Sequence, residues 1–315
     1  MLINPCNINV APSNTGADCN AAMKASAMLI MLPRAAKFTD AQITSAGSFT
    51  ALLNTQVHAA AGIRWFPIFG NNAPIRAITD SNESDVIEPF EDGSQSFVRY
   101  GMYNRVFTTN AGGLALAQHL MAFRGSSYSF IEVDITGQVM AMKNADGSYS
   151  GFPVNLAYAQ ASELANLKTV WKTKFMMSFS PKTYIQQGIL FASDSTEDIL
   201  AQNGLLDTAV TLGTGVQSIT NILVGVQTIG SKTDLVALYP GAGVGINQVS
   251  NFVVTAAAGT TITPSAVATV GGQVQITGTF TTGTNITVAL SAPSVLKANG
   301  VEGYEGTVSA TVPIP

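Results

Sequence analysis

Six carboxylates stand close together in one stretch, and their type and spacing could support chemistry. They are Asp80, Glu83, Asp85, Glu88, Glu91 and Asp92, with no lysine or arginine between the first and the last. Carboxylates bind calcium, but the EF-hand spacing is absent, so we predict no metal site here. Neither helical nor strand periodicity fits the stretch, which favours a long loop or an extended hairpin. A run of acids is usually a solvated surface. The functional alternative is an acidic surface that faces DNA or meets basic residues of a neighbouring subunit.

Arginines adjoin aromatic residues at three places: Arg64-Trp65-Phe66, Arg99-Tyr100 and Tyr103-Asn104-Arg105. Trp, Tyr and Arg are favoured anchors of protein interfaces. The alternative for Trp65 and Phe66 is a place in the core. Because successive side chains of a strand point to opposite faces, one face can be core while the other is an interface. We expect both roles in these segments.

Motifs of common catalytic and cofactor sites are absent from the sequence. His58 and His119 have no Ser, Cys or Asp partner placed by a known motif, so we interpret both as ordinary packed or surface histidines. The glycine-rich run at 241–245 lacks the Lys-Ser/Thr of a phosphate loop and the spacing of a dinucleotide motif, and it predicts a turn. Gly-x-Ser-x-Gly is absent, and no pattern sets up the paired carboxylates of a glycosidase. We predict a non-enzymatic protein without cofactor or metal.

The composition points to a surface that other protein covers. Only 11% of the 315 residues are charged and 46% are hydrophobic, against about 25% charged in a typical soluble domain. A free monomer of this composition would expose much uncharged surface, so we expect copies of the chain or partners to cover it. The net charge is −4, and the sequence has no cluster of basic residues that would bind the phosphates of a nucleic acid. A negatively charged surface repels DNA, so it could still line a channel through which DNA passes.

The N-terminal region predicts neither a membrane span nor a secretory signal. Its most apolar run, residues 25–33, is far shorter than the ~20 residues of a spanning helix, and a basic segment before it is missing. With no export signal, we expect Cys6 and Cys19 to be free thiols.

Charge divides the chain into two regions. Residues 1–200 carry 28 of the 34 charged side chains, and residues 201–315 carry six. Such a shift marks a domain boundary, which we place between residues 205 and 206. Short alternating segments near 252–255, 273–277, 285–290 and 306–312 predict a small β-sandwich for domain 206–315.

Domain 1–205 mixes helix and strand. We expect a helix from Thr39 or Asp40 to Ala59, and another over 112–123. Strands are predicted over 62–69, 96–108, 127–134, 138–143, 151–159 and 168–180, with a hairpin turn at Thr136-Gly137. The last of these is thirteen residues long, which suits a barrel or a sheet continued across subunits.

This order of segments resembles the tail tube proteins of tailed bacteriophages. The resemblance rests on GIRWFPIF (62–69), the acidic stretch, EDGSQSFVRYGMYNRVF (91–107), GGLALAQHL (112–120), FIEVDITGQVMAMKNADGSYSG (130–151), FPVNLAYA (152–159) and WKTKFMMSFSP (171–181). Residues 290–312 resemble the Ig-like domain appended to many phage tail and capsid proteins. The expected fold is therefore mainly β: an N-terminal β-sandwich or barrel of the tube type with flanking helices, and a C-terminal Ig-like β-sandwich.

The resemblance implies a virion structural protein, made in the host cytoplasm and located in the tail. Subunits of this family form rings, usually hexamers, which stack into a DNA-conducting channel and contact other tail proteins. Residues 74–95 would then be an arm between rings or subunits, and the strands at 96–108 and 168–180 would help to form the inner barrel. The alternatives are a capsid decoration or head-fibre protein, and a bacterial surface adhesin or carbohydrate-binding module.

Overall fold

A computed structural model of the chain describes residues 23–44, 48–70, 73–163, 170–192, 198–241 and 244–315. Strands are its main secondary structure, which confirms the predicted mainly-β fold class. The chain divides into two compact units, one within Met1–Val57 and Ala61–Asn203 and one made of His58–Ala60 and Gly204–Pro315. This division lies two residues before the boundary expected from the charges. Cys6 and Cys19, which we expect to be free thiols, lie outside the described residues.

Most strands of the first unit join one large sheet. In chain order the strands of this unit are β1 (Ser26–Pro33), β2 (Lys37–Phe38), β3 (Phe66–Pro67), β4 (Ala77–Asp80), β5 (Val86–Pro89), β6 (Gln95–Arg99), β7 (Tyr103–Thr109), β8 (Tyr128–Asp134), β9 (Gln138–Lys143), β10 (Tyr149–Ser150), β11 (Phe152–Glu163), β12 (Lys172–Phe179) and β13 (Gly188–Ala192). Eleven of them form a branched sheet with the main order β2-β10-β9-β8-β11-β12-β7-β4, in which β1 also pairs with β3 and β8, and β13 with β9.

Within the described part of this unit, four α-helices accompany the sheet: α1 (Asp40–Thr44), α2 (Ser48–Val57), α3 (Gly113–Leu120) and α4 (Pro181–Gln187). At the start of α1, the Thr39 amide donates to Oε1 of Gln42 at 2.8 Å, and the Gln42 amide donates to the Thr39 carbonyl at 3.0 Å. The glutamine thus caps a donor that the helix cannot satisfy, as in a capping box. The helix predicted over 112–123 is α3 followed by a turn of 3-10 helix at Met121–Phe123.

One face of the sheet is a phenylalanine-rich core. Alternate residues of the central strands point into it, and those fully buried include Phe107, Phe130, Phe152, Phe175 and Met177. The alternation of buried residues along most of β12 therefore shows a period of two.

Three strand predictions in the first unit need correction. The strand expected over 62–69 is reduced to Phe66–Pro67, because residues 61–63 turn and Pro67 has no backbone donor to offer a ladder. The strand expected over 96–108 is two strands, β6 and β7, separated by residues 100–102. Of the thirteen-residue strand expected over 168–180, residues 168 and 169 lie outside the described residues, and β12 accounts for eight of the others.

The second unit is built from two sheets. Its strands are β14 (Leu206–Leu212), β15 (Asn221–Thr228), β16 (Phe252–Ala256), β17 (Thr261–Ile262), β18 (Ala266–Val270), β19 (Gln273–Thr277), β20 (Asn285–Leu290), β21 (Tyr304–Val308) and β22 (Ala310–Pro313), and its helices are α5 (Leu235–Leu238) and α6 (Pro293–Ala298). One sheet has the order β18-β19-β15-β14-β21 and the other β17-β16-β20-β22.

Both sheets of the second unit contribute to one core. Val224 and Ile276 from the first sheet pack in the same cluster as Val254 and Val288 from the second, and all four are at most 1% exposed. Two sheets that share a core form a β-sandwich. The single strand predicted over 306–312 is corrected to two strands, since β21 lies in one sheet and β22, after Ser309, in the other.

Candidate assembly arm and its anchor

Residues 81–102, which we call the acidic arm, connect β4 to β7 and form a hairpin of their own. β5 and β6 pair antiparallel, with Ile87 opposite Phe97 and Glu88 opposite Ser96. A bulge at Val98 shifts the register, so that Val86 faces Arg99. Among the described residues, these two strands pair only with each other. Of the two alternatives predicted for the acidic stretch, a long loop or an extended hairpin, the structure shows a hairpin.

The tip of the acidic arm is a tight turn held by Asp92. The Phe90 amide donates to the Ser94 carbonyl at 2.8 Å, and Gly93 adopts a φ of 81°, which favours glycine. Oδ1 of Asp92 accepts hydrogen bonds from the Ser94 hydroxyl at 2.6 Å and the Ser94 amide at 2.9 Å. These bonds favour the carboxylate and lower the pKa of Asp92. Asp92 thus has a structural part in the turn.

The stem of the arm is fastened by backbone and carboxylate hydrogen bonds. The Ser81 amide donates to the Asn104 carbonyl at 2.8 Å, and the Glu83 amide to the Met102 carbonyl at 2.9 Å. The carboxylate of Asp85 accepts from the Gly101 amide at 2.9 Å. Gly101 runs so close to the Glu83 carbonyl that a Cβ there would overlap that oxygen. Glu83 and Asp85 therefore both lie at the stem, and the Glu83 carboxylate also accepts a hydrogen bond from the opposite segment, from the Met102 amide at 3.3 Å.

Apolar side chains of the acidic arm are exposed to solvent. Ile87, Phe90, Phe97 and Val98 each keep at least half of their surface exposed. The rings of Phe97 and Tyr100 lie 4.6 Å apart between centroids, and Tyr100 is 39% exposed. A two-stranded hairpin with no hydrophobic support is marginally stable in water at best. The arm therefore has the character of a surface that a partner covers.

A partly buried arginine between two carboxylates, one of them fully buried, anchors the base of the arm. Arg105 directly faces Asp80 across the β4–β7 pair, and its Nε donates to Oδ1 of Asp80 at 2.7 Å. Nη1 of Arg105 donates to Oε1 and Oε2 of Glu132 at 2.7 and 2.9 Å. Glu132 is 1% exposed, and its Oε2 also accepts from the Ser26 hydroxyl at 2.8 Å. We call Asp80, Arg105 and Glu132 the arm anchor.

The electrostatics of the arm anchor favour a permanently charged arginine. Burial alone would lower the pKa of Arg105, but the negative charges of Glu132 and Asp80 outweigh it and raise that pKa. Nearby, burial and then the charge of Glu132 raise the pKa of Tyr184 to about 12. A buried charge is tolerated only when it is paired and hydrogen-bonded, and the arm anchor meets both conditions.

The remaining predicted site residues separate into core and surface. Trp65 is 2% exposed and lies 5.8 Å from Phe38 between ring centroids, and Arg64 is 7% exposed. Both residues are thus buried, which agrees with the core alternative for Trp65, and their part in an interface stays a prediction. Arg99 is exposed on β6, with Nη1 3.9 Å from Oε2 of Glu83. Glu88 and Glu91 are exposed on the hairpin.

Sequence reasoning missed Glu132 as a site residue. The signal was present, because Glu132 is an acid inside the apolar run Phe130–Val133 and an acid there needs a charged partner. Nothing in the sequence identified Arg105 as that partner, since the two residues are 27 positions apart.

Within the described ranges, no group of three or more His, Cys, Asp or Glu side chains converges to hold a metal ion. None of the helices that the structure describes is long and apolar enough to cross a bilayer.

No protein-family model matches the sequence, and no curated protein matches it significantly.

Proposed function

We propose that this chain is a virion structural protein, the major tail tube subunit of a tailed phage, and that it assembles with copies of itself through the acidic arm. The observation that carries the proposal is the hairpin β5–β6, which exposes Ile87, Phe90, Phe97 and Val98 and pairs with no other described strand. The order of segments that resembles tail tube proteins supports the same function.

The charge distribution favours a second copy of the chain as the partner of the arm. The acidic arm carries five acidic residues and one basic residue, whereas the rest of residues 1–203 carries twelve basic and ten acidic residues. Opposite charges on two patches guide their encounter and fix the register of docking. A negatively charged arm would meet repulsion from DNA phosphates, so we assign it to a protein contact and not to DNA binding.

The exposed apolar side chains supply the attraction in this contact. Burial of apolar surface is worth roughly 25 cal/mol per Å², and each copy in a ring would bury the arm once. A ring closed by rotational symmetry repeats one contact at every interface, so a modest contact is multiplied around the ring. The arm anchor holds the base of the arm, which limits the conformational entropy lost on docking.

The full chain at increasing concentration, observed by negative-stain electron microscopy and sedimentation velocity, tests the proposal. We expect rings or tubes with a central channel, weakened by salt because the docking is partly electrostatic. The double variant Phe90→Ser/Phe97→Ser should prevent assembly. Val216→Ser is the matched control, because Val216 is 87% exposed in the second unit, outside the arm.

The outcomes discriminate between the candidate functions. A wild-type chain that stays monomeric at every concentration contradicts self-assembly. Compact oligomers without a channel favour the capsid decoration alternative. Equal loss of assembly in the Phe90/Phe97 and Val216 variants would show that the arm has no special part.

A further inference from the structure

The sequence contains two Asn-Gly steps, Asn203-Gly204 and Asn299-Gly300. At such a step the glycine amide nitrogen can attack the asparagine side-chain carbonyl, because no Cβ hinders its approach and its backbone is conformationally free. The structure gives the two steps opposite surroundings, so they differ in how freely that approach can occur.

Asn203 and Gly204 are both exposed. Among the described residues, neither makes a hydrogen bond through its side chain or backbone. The chain is fixed on either side of them: the Gln202 amide donates to the Ile199 carbonyl at 3.2 Å, and the Leu206 amide to the Gly303 carbonyl at 2.8 Å. The peptide bond between Asn203 and Gly204 is also where the chain passes from the first compact unit to the second.

Asn299 is held on every side. Its Nδ2 donates to Oδ1 of Asn251 at 2.7 Å and to Oγ of Ser250 at 2.8 Å. The nucleophile of this step is occupied too, since the Gly300 amide donates to the Lys297 carbonyl at 2.9 Å. The Asn299 carbonyl accepts from the Gly245 amide at 2.7 Å. Attack at this step would break several of these bonds together.

We propose that Asn203 is a site of spontaneous deamidation and that Asn299 is protected from it by the fold. The Gly204 nitrogen bonds to Cγ of Asn203 and loses its proton, the Cγ–Nδ2 bond breaks, and ammonia leaves. Water then opens the cyclic imide at either carbonyl and gives aspartate or isoaspartate. The sum is amide plus water to carboxylic acid plus ammonia, with no change in oxidation state.

The product changes the junction between the units. Each deamidated chain gains one negative charge there, and isoaspartate also adds a methylene to the main chain. Both changes fall in a stretch, residues 201–231, in which Asp207 is the only charged residue. The fraction of chains with an added negative charge at position 203 should therefore increase with the age of the protein.

Peptide mapping by mass spectrometry, with fragmentation that distinguishes isoaspartate, tests the proposal on the full chain incubated at mildly alkaline pH. We expect aspartate and isoaspartate to accumulate at position 203 several-fold faster than at position 299. The same chain unfolded in denaturant is the control, because both steps are then free and should react at similar rates. Equal rates at the two positions in folded protein, or an unreactive Asn203, would overturn the proposal.

The variant Gly204→Ala provides the second test. Gly204 is exposed, and a Cβ there hinders the attacking nitrogen, so deamidation of Asn203 should slow several-fold without loss of folded protein. Unfolding followed by circular dichroism checks that the variant is folded. An unchanged rate in folded Gly204→Ala would rule out attack by the Gly204 nitrogen.

Discussion

Nη1 of Arg105 lies 2.7 Å from Oε1 of Glu132, a carboxylate that is 1% exposed. Because Nε of the same arginine binds Asp80, one guanidinium connects the base of the acidic arm to a buried strand. The buried carboxylate of Glu132 is stabilised only while the partly buried Arg105 is present to pair with it. The consequences for stability can be measured.

Replacing Arg105 with leucine should strongly destabilise the chain. The variant leaves the Glu132 carboxylate buried without its cation, and breaking a buried pair in this way costs about 3–5 kcal/mol. Urea unfolding followed by circular dichroism measures the loss. Arg99→Leu is the control: Arg99 is 59% exposed, so its removal should change stability by about 0.5 kcal/mol or less.

The double variant Arg105→Leu/Glu132→Leu should be less destabilised than the two single losses added together. Removing both charges avoids the unpaired carboxylate, and an apolar pair of similar size is often tolerated in such a place. A double-mutant cycle measures the coupling. Additive losses would mean that Arg105 and Glu132 do not act as a pair.

The candidate site was only partly predictable from sequence. The acids of the arm stood out because they are close together in the chain, and the exposed hairpin follows from their failure to fit a buried pattern. The arm anchor depends on contacts between distant positions. Asp80 and Arg105 meet through the pairing of β4 with β7, and Arg105 reaches Glu132 on β8, a strand that β11 and β12 separate from β7 in the sheet. Period-two patterns report which face of a strand is buried, and not which strand lies opposite.

Because alternation does not show which strands pair, it also could not show that residues 306–312 form two strands. Residues 306–312 alternate without interruption, yet the chain changes sheets at Ser309, an event that alternation cannot record. The hairpin β8–β9 was predictable because its turn is local: Gly137 has a φ of 79°, and the Asp134 carboxylate accepts from the Thr136 amide at 2.7 Å. Local turn chemistry can be deduced from sequence, whereas long-range pairing needs the fold.

Alkaline pH should destabilise the first unit through Tyr184. Burial and the charge of Glu132 raise the pKa of this phenol from 10.0 to about 12, so the folded chain holds the proton more tightly than the unfolded chain. The stability that this preference contributes is complete below pH 10 and is lost as the pH rises towards 12. Tyr184→Phe should remove this part of the loss in urea unfolding measured between those pH values.

Tyrosinate absorbance provides an independent reading of the same group. Wild-type protein should show a component that titrates near pH 12, and Tyr184→Phe should reduce its amplitude. Tyr239 in the second unit also has a pKa raised to about 12, by burial and by its hydrogen bond with Tyr304, so part of the component should remain. An unchanged amplitude in Tyr184→Phe would contradict the prediction.

Gly101→Ala should loosen the stem of the acidic arm. The new Cβ would overlap the Glu83 carbonyl oxygen, which is backbone and cannot rotate away, so the stem must separate at a cost of about 1–3 kcal/mol. Hydrogen exchange at the Glu83 and Gly101 amides should become faster. Gly62→Ala, where nothing lies within 4 Å of the added carbon, should leave these amides unchanged.

Asn251→Leu should destabilise the second unit, because the buried side-chain amide of Asn251 connects three polar groups. Asn251 is fully buried; its Nδ2 donates to the Gly245 carbonyl at 2.7 Å and the Ile246 carbonyl at 3.2 Å. Its Oδ1 accepts from Nδ2 of Asn299 at 2.7 Å. Leucine has a similar size but takes this donor away from the two backbone carbonyls, at about 1–3 kcal/mol for each buried group. Thermal unfolding of the full chain should show an earlier transition for the second unit, while exposed Asn285→Leu should leave it nearly unchanged. Release of Asn299 should also speed its deamidation, which ties the stability of this amide network to the chemistry of the Asn-Gly step beside it.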